Sequence, residues 1–154
     1  MAGEGGARAY VLDASVAAKV LFDEPGSDVA RALVADAEFV TAPDFAQLEI
    51  ANICVKRART RAITRDQALE ASRDGASLYD TFEPIGALVE DAAAFALSGM
   101  SATYDAAYAA LAARRGLTLV TADARFAASL AGVAGAPSLI LVAPADRRMA
   151  AVQP

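Results

Sequence analysis

The chain has 154 residues, a formal net charge of -5, no His, no Trp and a single Cys. At this length, with 56% hydrophobic and 21% charged residues, it is predicted to fold as one domain around one core rather than stay disordered. The missing His excludes Ser-His-Asp triads, Cys-His nucleophiles and His-ligated zinc, and one Cys excludes an internal disulfide or a thiolate cage. Any enzymatic chemistry must rest on carboxylates.

In chain order, residues 1–8 are small and Gly-rich and read as a flexible extension. Ala9–Asp13 (AYVLD) reads as a buried strand ending on a carboxylate, and Ser15 as the cap of a helix through Phe22. A second helix is expected over Asp28–Ala37, with Val29, Leu33 and Val34 on one face. Glu38–Ala42 (EFVTA) is the next strand. Pro43 and Asp44 then open a long helix to about Arg61, with Phe45, Leu48, Asn52 and Val55 in register. Thr64 and Gln67 have capping-box spacing and start a helix to about Tyr79. Phe82–Gly86 is a strand weakened by Pro84, followed by helices at Leu88–Leu97 and Thr103–Arg115, the latter stopped by Gly116. Leu117–Thr121 is the cleanest strand, followed by a short helix over Ala124–Leu130 and a strand over Ser138–Val142. The domain is expected to span 9–143, leaving 144–154 as a tail. Short apolar strands alternating with helices predict an α/β fold, a small parallel sheet with helices on both faces. The stretch from Phe126 to Ala145 carries no charge but is broken by Gly132, Gly135, Pro137 and Pro144. It reads as core rather than a membrane span, and a cytoplasmic location is expected.

Ligands of open α/β sheets bind beyond the carboxyl ends of the strands. Asp13 ends the first strand and Asp123 lies just past the fourth. Glu49 is expected about two turns into its helix, and Asp105 in the first turn of the helix before the fourth strand. Each acid also has a plainer reading: a cap, a surface residue, a complement to a helix dipole, a turn. Four converging carboxylates would repel one another, raise one another's pKa and call for a counter-charge. Oxygen ligands without His or Cys favour Mg²⁺, with Mn²⁺ as the alternative, and such centres hydrolyse phosphodiesters. Ser15 is close enough in sequence to support Asp13, and Asn52 lies one turn after Glu49, where an amide would orient it.

The segments VLDASVAAKVLF, APDFAQLEIANICVK, SATYDAAYAALA and TLVTADARF together resemble the PIN domain, specifically the VapC-type ribonuclease toxins of bacterial toxin–antitoxin pairs. The resemblance runs from about Tyr10 to Val142. It implies a three-layer fold, metal-binding catalytic acids at Asp13, Glu49, Asp105 and Asp123, and supporting roles for Ser15, Asn52 and Thr121. It also implies an RNA substrate (tRNA, rRNA or mRNA), a VapB-like antitoxin as partner, and a homodimer. Lys56, Arg57, Arg59 and Arg61, with Arg65 beyond them, form a basic segment in an acidic chain. They read either as a track for RNA phosphates or as a solvated helix end. A non-catalytic PIN-like module that only binds RNA or protein is the competing functional reading.

Overall fold

In the computed structural model, which describes residues 6–100 and 102–144, the strands are β1 (Ala9–Leu12), β2 (Phe39–Pro43), β3 (Thr81–Glu83), β4 (Thr118–Thr121) and β5 (Leu139–Leu141). They form one parallel sheet in the order β3-β2-β1-β4-β5, with Tyr10 beside both Val40 and Thr118. The helices are α1 (Ala14–Leu21), α2 (Ser27–Asp36), α3 (Ala46–Arg59), α4 (Arg65–Ala76), α5 (Val89–Leu97), α6 (Thr103–Arg115) and α7 (Ala124–Ser129). Chain direction across the sheet reverses after β3. Right-handed crossovers therefore put α1–α4 on one face and α5–α7 on the other.

The core is built from Val11, Leu12, Val16, Ile50, Leu88, Leu111, Leu119, Val120 and Phe126, all essentially inaccessible. In α6 every residue from Ala106 to Ala112 is buried. Its alanines let the helix lie close to β1, β2 and β4, which a bulkier stripe would prevent. Gly116 ends α6 in a left-handed conformation, φ 63°, as its position after the last apolar residue predicts. The Thr64–Gln67 capping box is present in both directions.

Several expectations are corrected. Asp13, not Ser15, is the N-cap residue of α1, and Ser15 lies in the first turn. Pro43 stays in β2 opposite Glu83, so α3 starts only at Ala46. Its buried stripe is Ala46, Ile50 and Cys54, while Leu48 and Val55 are 75% and 39% exposed. This stripe faces α1 and α4, against which α3 packs. On α2 the buried positions are Ser27 and Ala30, and Val29 faces outward. The helix after Thr64 stops at Ala76 because Tyr79 turns inward and its hydroxyl donates to the Leu12 carbonyl at 3.1 Å. Pro84 ends β3 at Glu83, and Ile85–Ala87 form a 3-10 turn.

Arg8, assigned by sequence to the extension, is tied to Asp36 and Glu38 at 3.1 and 3.0 Å. Residues 1–5 of that extension and 145–154 of the expected tail lie outside the described residues. No helix among the described residues is long and apolar enough to cross a membrane.

Gly75 marks the closest approach of α3 and α4, since a β-carbon there would lie 2.5 Å from Ile50 Cγ2 and 3.1 Å from Leu21 Cδ1. Gly75→Ala gains about 1 kcal/mol of helix propensity but overpacks the contact at a cost of about 1–3 kcal/mol. Overpacking wins because the obstructing methyl is on a β-branched carbon that cannot swing away without a rotamer change. A lower denaturant midpoint for Gly75→Ala is the expected result.

Candidate active site

The strand order reverses between β1 and β4, and a crevice opens beyond their carboxyl ends. Helices that directly follow or precede these parallel strands run antiparallel to them. So α1, α3 and α7, which follow strands, and α6, which precedes β4, all start at this edge, each with an acid. Asp13 is the N-cap residue of α1, Glu49 and Asp105 lie in the first turns of α3 and α6, and Asp123 is the N-cap residue of α7. Glu49 is thus about one turn nearer the helix start than expected, because α3 itself starts later. Partial positive charge at each helix start favours a carboxylate there.

Asp13 is 7% exposed. Ser15 Oγ and Thr121 Oγ1 both donate to its Oδ2 at 2.7 Å. Each hydroxyl has a single proton, and each is fixed from behind by a backbone amide. Ala122 N–H donates to Ser15 Oγ and Asp123 N–H to Thr121 Oγ1, both at 3.0 Å. These bonds join the end of β1 to the end of β4 and commit one carboxylate oxygen, leaving Oδ1 for other partners. Burial pushes the Asp13 carboxyl above the usual range, against the pull of the two hydroxyls, and the charge of Asp123 adds to the rise.

Glu49 accepts a hydrogen bond from the Tyr108 hydroxyl at 2.7 Å. Burial raises its pKa to about 7; Tyr108 opposes the rise, and the charges of Asp13 and Asp105 add to it. Asp105 is raised to about 6, first by burial and then by Asp13 and Asp123. The four acids therefore share one electrostatic field. Desolvation outranks mutual repulsion, a correction to the expected order of causes. Asp123 is exposed and caps α7, its Oδ1 accepting from the amides of Arg125 and Phe126 at 2.8 and 3.2 Å. None of the ion pairs found among the described residues includes any of the four acids.

Two phenols lie beneath these acids that sequence reasoning did not select. Tyr108, three residues after Asp105, holds Glu49, the task expected of Asn52; Asn52 is exposed and makes no hydrogen bond to Glu49. The signal was present in YDAAYAALAA, where the second phenol lies within an alanine run. Tyr79 anchors the carbonyl just before Asp13, and nothing local in sequence marks it.

Residues 10–129 match the PIN domain. The chain belongs to the PIN-domain family. It is 34% identical over 122 residues to Ribonuclease VapC3 of Pyrobaculum aerophilum, covering 76% of this chain and 91% of that protein. Among solved structures it is similar to VapBC-5 of Mycobacterium tuberculosis, a member of the VapBC family of toxin–antitoxin systems. That match has 26% identity and a TM-score of 0.55, and covers 88% of this chain and 99% of the other. The fold also matches VapC20 of the same organism, a toxin that cleaves the sarcin-ricin loop, with 18% identity and a TM-score of 0.63 over 84% of this chain and 99% of that one.

In this PIN domain the basic segment divides. Lys56, Arg59, Arg61 and Arg65 are exposed. Arg57 is turned inward, paired with Glu24 and lying 4.3 Å over the Phe22 ring. It is committed within the molecule and leaves the set available for phosphates, a correction to the expected track.

The raised acids set the pH dependence of stability. Asp13, Glu49 and Asp105 all have folded pKa values above their unfolded ones. The folded state therefore binds more protons than the unfolded chain between about pH 4 and 7, and stability falls as pH rises through that window. The metal-free PIN domain is expected to melt at a higher temperature at pH 5 than at pH 7.5, read by thermal denaturation in chelator. Asp13→Asn should flatten this slope.

Proposed function

We propose that this PIN domain is a Mg²⁺- or Mn²⁺-dependent endoribonuclease, the toxin of a type II toxin–antitoxin pair that cleaves structured or single-stranded loop RNA. The observation that carries the reading is the set of three desolvated carboxylates, Asp13, Glu49 and Asp105, held together with Asp123 at the sheet reversal without any Lys or Arg partner. The similarity to a VapC ribonuclease over most of the chain supports the same reaction. On this reading the partner is a VapB-like antitoxin, the working form is a homodimer and the location is cytoplasmic.

The donor set fits a hard divalent cation: oxygen atoms only, negative in sum, with Asp13 Oδ1 uncommitted. Among the described residues no three acids stand at the spacing of a closed ligand cage. A closed cage is not a requirement for Mg²⁺, which keeps several waters and takes only one or two carboxylates directly. Asp13 and Asp105 would hold the ion, with Glu49 and Asp123 reaching it directly or through water. A divalent ion supplies positive charge against the developing phosphoryl charge and lowers the pKa of a nearby water.

The chain's own groups divide the remaining work. Ser15 and Thr121 fix the Asp13 carboxylate in one orientation, and Tyr108 does so for Glu49. Glu49, with a pKa of about 7, is matched to proton exchange near neutrality. The absence of a closed cage favours one alternative, a PIN module that binds RNA or protein without cutting it.

Metal titration separates the two readings. Mn²⁺ should raise the melting temperature of the parent, by mass action on the folded state. Asp13→Asn and Asp105→Asn should lower Mn²⁺-dependent cleavage by more than about 100-fold, beyond the typical cost of losing an outer supporting group. Both variants should fold, and in chelator Asp13→Asn should melt above the parent because a desolvated charge has gone. Full cleavage by either variant would remove these acids from the reaction.

Salt dependence tests the basic residues. Neutralising Lys56 and Arg59 together should weaken RNA binding and reduce the slope of log affinity against log salt by about 0.7 per lost phosphate contact. Cleavage at saturating RNA should hold. An unchanged slope would make the segment a solvated helix end.

A further inference from the structure

Tyr104, the residue before Asp105, is 68% exposed and meets Phe45 edge to face, with ring centroids 5.5 Å apart. It stands between two hollows. The smaller, about 250 Å³, is aliphatic, with Ile85, Val89 and Ala92 among its walls. The larger, about 480 Å³, is lined by Phe45, Leu48, Glu49, Asn52, Val55 and Tyr104. Glu49 belongs both to this hollow and to the acid cluster, so whatever fills the hollow lies directly beside the reacting centre.

The lining specifies a ligand. Two aromatic rings and two branched aliphatic side chains offer a flat apolar berth, while Asn52 offers one donor and one acceptor on an exposed amide with no hydrogen bond in the described structure. No Lys or Arg lines the hollow, so its occupant is not a phosphate. The neighbouring carboxylates disfavour an acidic peptide. A volume of about 480 Å³ lies in the range of small-ligand sites. An unpaired nucleobase meets each condition: a π face for Tyr104, an edge with donors and acceptors for the Asn52 amide, and attachment to a phosphate that the acid site handles.

We infer that this hollow is a base-recognition subsite, in which an unpaired base next to the scissile phosphate stacks on Tyr104 and is read at its edge by Asn52. The inference rests on the ribonuclease reading of the same site and names how the RNA is selected.

A cycle of protein and substrate changes tests it. Short single-stranded oligoribonucleotides, intact or abasic at one nucleotide flanking the cleavage position, are compared on the parent, Tyr104→Ala, Tyr104→Phe and Asn52→Ala. Binding is read with Ca²⁺ in place of Mn²⁺, since Ca²⁺ takes the same oxygen ligands but acidifies bound water far less, and cleavage is read with Mn²⁺. One stacked base corresponds to a change of about 5- to 150-fold in affinity. The parent should lose that much on the abasic strand, Tyr104→Ala should lose it on the intact strand and lose little more on the abasic one, and Tyr104→Phe should behave as the parent. Asn52→Ala should reduce discrimination between bases at that nucleotide while keeping the abasic penalty. These effects should appear in KM rather than kcat.

An abasic penalty equal in the parent and Tyr104→Ala, at every flanking position, overturns the subsite. So does a change in solution mass or antitoxin affinity in Tyr104→Ala with RNA binding unchanged, which would make the face a protein contact. Abasic-sensitive binding without cleavage keeps the subsite and overturns the ribonuclease reading.

Discussion

Asp13 is a carboxylate held almost out of water with only neutral donors to satisfy it, and much of the surrounding structure follows from keeping it there. Ser15 and Thr121 converge on one of its oxygens from either side of the β1–β4 junction. Each is oriented by an amide from the chain that leaves β4. Neutral donors lower the penalty of burial but do not cancel it, which is why the carboxyl remains above its usual range. An Arg or Lys at the same place would cancel the charge, stabilise the fold and leave nothing to attract a divalent ion. A site poised for a cation is therefore a site left under-compensated, and the folded chain carries that cost whenever no ion is bound.

The same economy of space that buries Asp13 arranges its neighbours. Alanines along α6 bring that helix onto the sheet, which sets Asp105 at the crevice and drops the Tyr108 phenol beneath it. Phe45 and Phe126 pack against Tyr108 with centroids 5.4 and 6.5 Å away, so the phenol has no freedom to leave Glu49. Tyr79 arrives from the far side of the sheet and fixes the carbonyl that precedes Asp13. Asp13 and Glu49 are thus aimed by rigid partners rather than by another charge. Changes that repack α6 will reach the site before they reach overall stability.

The alternation of apolar strands and helices was readable because each period is local, and so were the Thr64 capping box and the Gly116 stop. The acids were readable because an ionisable group at a strand end or in an alanine run is anomalous on its own terms. Faces were not. On α3 Leu48 and Val55 mark the expected inner stripe, yet Ala46, Ile50 and Cys54 occupy it. Periodicity alone does not say which of two apolar stripes faces inward; that is set by packing against α4, where Gly75, distant in sequence, makes room for Ile50. Tyr79 and the Arg57–Glu24 pair were illegible for the same reason, each depending on a partner 33 or more residues away.

Helix α3 shows how folding preference and function coincide. Its first turn carries Glu49 and its last turn carries Lys56 and Arg59, the order that the helix dipole favours at both ends. At about 1.5 Å per residue, Lys56 and Arg59 lie about 10 and 15 Å along the axis from Glu49, within reach of a strand bound at the acid site on the proposed reading. Had the charges been reversed, the dipole would oppose them and the carboxylate would sit away from the crevice. Because the stable order is also the useful one, a basic approach to an acidic centre costs the fold nothing. Arg57, at the one position of the three that faces inward, is the residue folding takes for itself, closing the α3 end onto the turn that carries Glu24.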